Sequence, residues 1–163
     1  MTEKGLAEVV AAQTALSDID GKMGVLSYVG YDIHDLARNA TFEEVVYLLH
    51  HQRLPTRSEL DELCEEMLEE RDISGFLRDL MTTLAEQTSP MSMLRTSVSA
   101  ASAYDPDGWD QSAEANYRKA IRLISITPTL IACYHRHRSG ESGARVQSFS
   151  STAFHNNSAA AMS

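Results

Sequence analysis

Cysteine, proline and tryptophan are scarce in this chain, with two, four and one among 163 residues. Two cysteines far apart, Cys64 and Cys133, cannot supply the dense cross-links of a small secreted scaffold. Both fall on apolar helical faces, so the expectation is a pair of buried thiols in a cytoplasmic protein. Neither has the electropositive setting of a reactive thiolate. Basic residues are also few, 14 Lys and Arg against 23 Asp and Glu, for a net charge of -9. That balance excludes a general nucleic-acid binder, which needs clustered cations to neutralise phosphates. The most apolar run, 120–134, is broken by Arg122 and Pro128 and is too short to span a bilayer. The opening "MTEKGLAEVVAAQ" carries acid early and lacks the apolar core of a signal peptide. No membrane partner is expected.

Several chemical signatures are missing as well. There is no G-x-S-x-G and no glycine-rich phosphate loop, and Gly21-x-x-Gly24 is turn chemistry. No two histidines stand four apart, and no CxxC occurs. His50 and His51 are adjacent and point about 100° apart on a helix, while His135 and His137 face opposite sides. A metal site is therefore not expected. His34 lies between Asp32 and Asp35, but capping of a short helix explains Asp32 more simply than acid–base chemistry does.

What is present is the pattern of one helical domain. Hydrophobic residues make up 43% and charged residues 23%, ordinary for a globular chain long enough to bury a core. "TALSDI", a turn at Asp20-Gly21 and "VLSYV" predict a short β-hairpin packed on helices. Asp32 then caps a short turn through Leu36. Thr41-x-x-Glu44 and Thr56-x-x-Glu59 are capping-box patterns, each followed by an apolar stripe. The first stripe is Phe42, Val45, Val46 and Leu49; the second is Leu60, Leu63, Cys64, Met67 and Leu68. Eight acids between Glu59 and Asp72 line the exposed side of the second helix. A third stripe, Phe76 to Leu84, follows a cap at Ser74. Ser89-Pro90 opens a fourth helix whose faces are small, with Ser97, Ala100 and Ala101 allowing close approach. "YDPDGWD" at 104–110 is a turn-rich connection. A long helix over 112–138 follows, kinked at Pro128 and apolar nearly all round from Ile121 to Cys133, so buried on several faces. Arg136 and Arg138 suit its C-terminal dipole. After Gly140 a Ser/Ala-rich tail lacks Leu, Ile and any amphipathic period and is expected to be disordered. The fold class is thus all-α with a short N-terminal β-hairpin.

Five stretches in order resemble the N-terminal half of citrate synthase and 2-methylcitrate synthase. They are "GLAEVVAAQTALSDIDG" (5–21), "LSYVGYDIHDLA" (26–37), "TFEEVVYLLHHQRLPT" (41–56), "SPMSMLRTSVSA" (89–100) and "TPTLIACYHRHRSG" (127–140). The resemblance implies that 1–140 is the N-terminal part of a large helical domain, with 141–163 an unmatched tail. It implies condensation of acetyl-CoA or propionyl-CoA with oxaloacetate through a thioester enolate, without a further cofactor. In the family two histidines and an aspartate transfer the protons, within C-terminal motifs such as "ALHGGA" that do not occur here. His155 in "FHNNSAA" has the wrong spacing to replace them. No catalytic, cofactor-binding or metal residue is assigned, and the chain alone is expected to be inactive. The alternative is a split or regulatory subunit pairing with a C-terminal half or a full-length relative. The same resemblance places helices 90–104 and 112–138 at a dimer interface, with Met91, Leu94, Val98, Ala101, Ile121, Ile124, Leu130 and Ile131 as its candidates. Self-association or pairing with a citrate-synthase-like chain follows, while oxaloacetate and acyl-CoA would bind only in an intact member. Two positions depart from the family: Val29 stands where Arg is common in "YRGYDI", and Ser89 where His is common in "HPM".

Overall fold

The computed structural model describes residues 13–140. The chain divides after Glu65 into two compact units.

The first unit begins with an antiparallel sheet ordered β1-β2-β3, made of β1 (Ser17–Asp20), β2 (Val25–Tyr28) and β3 (Tyr31–Asp32). Asp20 sets the first turn, its Oδ1 accepting from the Lys22 and Met23 amides at 2.9 and 3.0 Å. The third strand, two residues long, is absent from the sequence-based reading. Tyr28 pairs with Tyr31, so Val29 and Gly30 form a two-residue loop with φ of 50° and 82°. Left-handed torsions at both positions match the twist of a tight hairpin. Asp32 then accepts from the His34 amide at 2.7 Å and caps α1 (Ile33–Asn39), which runs three residues past the expected end at Leu36. His34 and Asp35 are exposed, so the Asp-His-Asp group is a helix start.

Both capping boxes form. Thr41 and Glu44 exchange bonds at the start of α2 (Phe42–His51), and Thr56 and Glu59 do so before α3 (Arg57–Glu69). In α2 the buried residues are Glu43, Val46, Tyr47 and Leu48, whereas Phe42 is exposed, so the buried face is rotated from the expected stripe. Arg53 ties the α2–α3 corner, donating to Tyr47 Oη at 2.9 Å and to both Glu59 oxygens. The Arg53 bonds, followed by the Thr56 amide, hold the Glu59 carboxyl well below the usual carboxylate range. On α3 Leu63 and Met67 are buried as expected, but Cys64 is exposed. That corrects the expectation of two buried thiols. Its neighbours Glu62, Glu65 and Leu68 are exposed too, which places Cys64 on the solvent side of the stripe. Cys133 is buried, and desolvation pushes its thiol up.

The second unit packs α4 (Gly75–Leu84), α5 (Pro90–Ala101), a 3-10 turn at Ser102–Tyr104 and α6 (Ala113–Arg138). Ser74, Ser89 and Ser112 cap the three helices, and Pro90 takes the first helical position, where its missing N–H is harmless. Ile73, Leu77 and Met81 meet Met93, Ile126 and Leu130 in the core. The α5 face is small, as read from the sequence: Ser97 is wholly buried there, and Ser125 on α6 nearly so. Neither hydroxyl has a hydrogen-bond partner among the described residues. Helix α6 runs unbroken through Pro128. It is not covered on all sides, because Leu123 and Ile131 are 41% and 54% exposed. No helix among the described residues is long and apolar enough to cross a membrane.

Candidate functional site

The second unit carries a half-open cavity of about 390 Å³. Its walls are apolar, with Ile73 and Leu77 at the start of α4, Val98 and Ala101 on α5, and Leu123 and Ile126 on α6. Gly108 and Tyr104 border it from the α5–α6 connection, and Glu70, Asp72, Lys119 and Arg122 bring charge to its edge.

Arg122 organises that charge. Its guanidinium, with the side chain only 17% exposed, donates to Asp105 and Asp107 at 2.6 Å each and to Glu70 at 3.4 Å. Arg118, one helical turn earlier, makes a two-pronged bond to Asp107 at 2.6 and 3.0 Å. Fork-to-carboxylate geometry of this kind is strong and directional. The Arg118 bonds, then those of Arg122, hold the Asp107 carboxyl well below the usual carboxylate range. The connection is fixed further by Lys119, which donates to the Asp110 carbonyl, and by Asp110, whose carboxylate accepts from the Ser112 amide at 2.8 Å. Every acid of "YDPDGWD" is thus engaged, and the segment is a rigid ledge on α6. Sequence reasoning missed this network and took the segment as a plain connection. The available signal was Arg118 and Arg122 at a four-residue spacing beyond three aspartates.

The arrangement can hold an apolar group, but it presents no acid–base pair. None of the described histidines lines the cavity. His51 stacks on Tyr47 with ring centroids 4.1 Å apart, and His137 Nε2 lies 3.1 Å from Thr82 Oγ1. Desolvation, then the charge of His51, lowers the pKa of His50. His155 lies outside the described residues. No group of three His, Cys, Asp or Glu that could hold a metal occurs among the described residues.

The eight candidate interface positions fall into three places. Met91, Leu94, Leu130 and Ile131 line a second, smaller hollow between α5 and α6, where Met91 is 72% exposed. Val98 and Ala101 wall the larger cavity. Ile121 is fully buried, and Ile124 is half-buried.

Comparison with known proteins supplies what the geometry does not. The family model described as citrate synthase, C-terminal domain, matches residues 5–163, a span that passes Gly140, where the sequence reading ended the resemblance. Citrate synthase of Haloferax volcanii is 46% identical over 143 residues, covering 85% of this chain and 38% of that protein. The 2-methylcitrate synthase of Mycobacterium tuberculosis is 36% identical, covering 85% of this chain and 35% of its own length. Among solved structures, citrate synthase of Pyrobaculum aerophilum superposes with a TM-score of 0.77 at 36% identity, over 86% of this chain and 37% of the other. Citrate synthase of Thermoplasma acidophilum, in a ternary complex with carboxymethyl coenzyme A and oxaloacetate, gives 0.79 at 25% identity, over 91% and 40%. The chain therefore spans well under half the length of the relatives it matches.

Proposed function

Since the chain belongs to the citrate synthase family, we propose that it forms the helical scaffold of an acyltransferase that condenses acetyl-CoA or propionyl-CoA with oxaloacetate. The observation that carries this is the identity of 36–46% to both citrate and 2-methylcitrate synthases across 85% of the chain. Its helices would brace the site while the reacting groups come from residues outside the 163. Drawing a proton from the α-carbon of a thioester needs a positioned base, and the enolate oxygen needs a donor. The charged groups at the cavity are already engaged: Arg122 with Asp105, Asp107 and Glu70, Asp72 with Arg78, and Lys119 with the Asp110 carbonyl.

The test is thiol release by the purified chain with oxaloacetate and either acyl-CoA. No release above background is the expected result, with turnover appearing when the remaining length of a relative such as the Haloferax volcanii protein is added. Turnover by the chain alone would overturn the scaffold reading.

A second reading, a subunit that pairs with a citrate-synthase-like chain or with itself, draws on the α5–α6 face. Met91 and Ile131 stand 72% and 54% exposed there beside an apolar hollow. Exposed apolar groups clustered in this way favour association.

A further inference from the structure

The 390 Å³ cavity of the second unit has apolar walls and a charged rim, and the rim is not balanced. Glu70, Asp72 and Asp105 bring carboxylates to it, against the cations Lys119 and Arg122. Both cations are occupied. Arg122 donates to Asp105, Asp107 and Glu70, and Lys119 to the Asp110 carbonyl. An anion entering the cavity would have to take one of them from a partner it already holds. The carboxylates keep spare capacity, because an ionised carboxyl has about four acceptor positions on its two oxygens. Among the described residues, Arg78 bonds Oδ1 of Asp72 and Arg122 bonds Oε1 of Glu70, which leaves the second oxygen of each. The Asp72 side chain is 83% exposed, so a donor reaches it without displacing packed atoms. Tyr104 borders the same opening and adds an aromatic ring, whose face attracts cations.

We propose that this cavity binds a small organic ammonium. Its apolar body lodges among Leu77, Val98, Leu123 and Ile126, and its amine donates to Glu70 and Asp72 at the rim. The volume sets the size of the ligand. Ligand pockets run from about 300 to 1,000 Å³, and about 150 Å³ is enough for a benzene ring, so this cavity takes one ring with a short chain. Glu70 and Asp72 lie in the α3–α4 connection, while Asp105 and Gly108 lie in the α5–α6 connection. A ligand filling the space between them binds the folded unit alone and so stabilises it by mass action. The acyl transfer proposed above plays no part in this site, so either stands without the other.

Four probes separate charge from shape in isothermal titrations of the full chain at neutral pH and low salt. They are 4-phenylbutylamine, the matching alcohol and carboxylate, and butylamine, which lacks the ring. The ring amine is expected to bind at least about tenfold more tightly than the carboxylate, with the alcohol between them, and to raise Tm. Butylamine should bind at least about tenfold more weakly than the ring amine, since it leaves the apolar walls in water. The double variant Glu70→Gln, Asp72→Asn should bring ring amine and alcohol to within about twofold of each other. Leu123→Lys, at a half-exposed wall position, puts a cation in the mouth and should lose the amine while tightening the carboxylate. Helical circular dichroism shows whether each variant is folded. No binding of the ring amine, or a carboxylate that binds as tightly, overturns the proposal. So does butylamine binding as tightly, or amine binding unchanged in both variants, either of which means ion pairing with the acidic surface only.

Discussion

Val29 sits at a φ of 50°, a torsion that crowds a β-branched side chain against its own backbone. The adjacent Gly30 takes its φ of 82° without that penalty. The strain is local to the loop, whose closing bonds are already made: the Val29 amide donates to the Leu16 carbonyl at 3.0 Å. Asparagine adopts the left-handed region more readily and is favoured before glycine in such loops. Val29→Asn is therefore expected to raise stability by about 1 kcal/mol. Urea midpoints of the two proteins check this, with Val29→Gly separating backbone relief from any side-chain bond. A lower midpoint for both variants would show that the half-buried valine contributes more through packing than it loses in torsion.

At the scale of elements, what the sequence disclosed was local. Thr41, Thr56, Ser74, Ser89 and Ser112 each accept from the amide three residues on, so helix starts are written in nearby letters. The ledge was missed although Arg118 meets Asp107 across eleven residues and Arg122 meets Asp105 across seventeen; only the Arg122–Glu70 bond, across fifty-two, needs the packed unit to bring its partners together. Cys64 and Phe42 were misplaced for a related reason: a stripe's period identifies a helix without fixing which edge of it is covered. The ledge carries its own pH dependence. Asp107 has a folded pKa below its unfolded one, so its contribution is fully present above the ordinary carboxylate range near pH 4. It is lost as pH falls from there toward the lower folded value. Asp107→Asn should lower stability at pH 6, and the gap from the native chain should narrow steadily between pH 4 and 2. Glu59 shifts in the same direction but is common to both proteins, so it cancels in the difference. A gap constant with pH would mean that packing, not charge, accounts for the loss.

For the whole molecule, one apolar surface of the second unit stands open to water, and charge decides how far it associates. The α5–α6 face carries Met91 and Ile131 beside the smaller hollow. The net charge of -9 opposes association through like-charge repulsion, which salt screens. Larger species should therefore grow as ionic strength rises from low salt. Ile131→Lys should weaken that growth, and the double variant Met91→Lys, Ile131→Lys should sediment as a monomer at all salt concentrations. Helical circular dichroism of each variant separates this from misfolding, which the exposure of both side chains argues against. Persistence of larger species in the double variant would place the association on another surface.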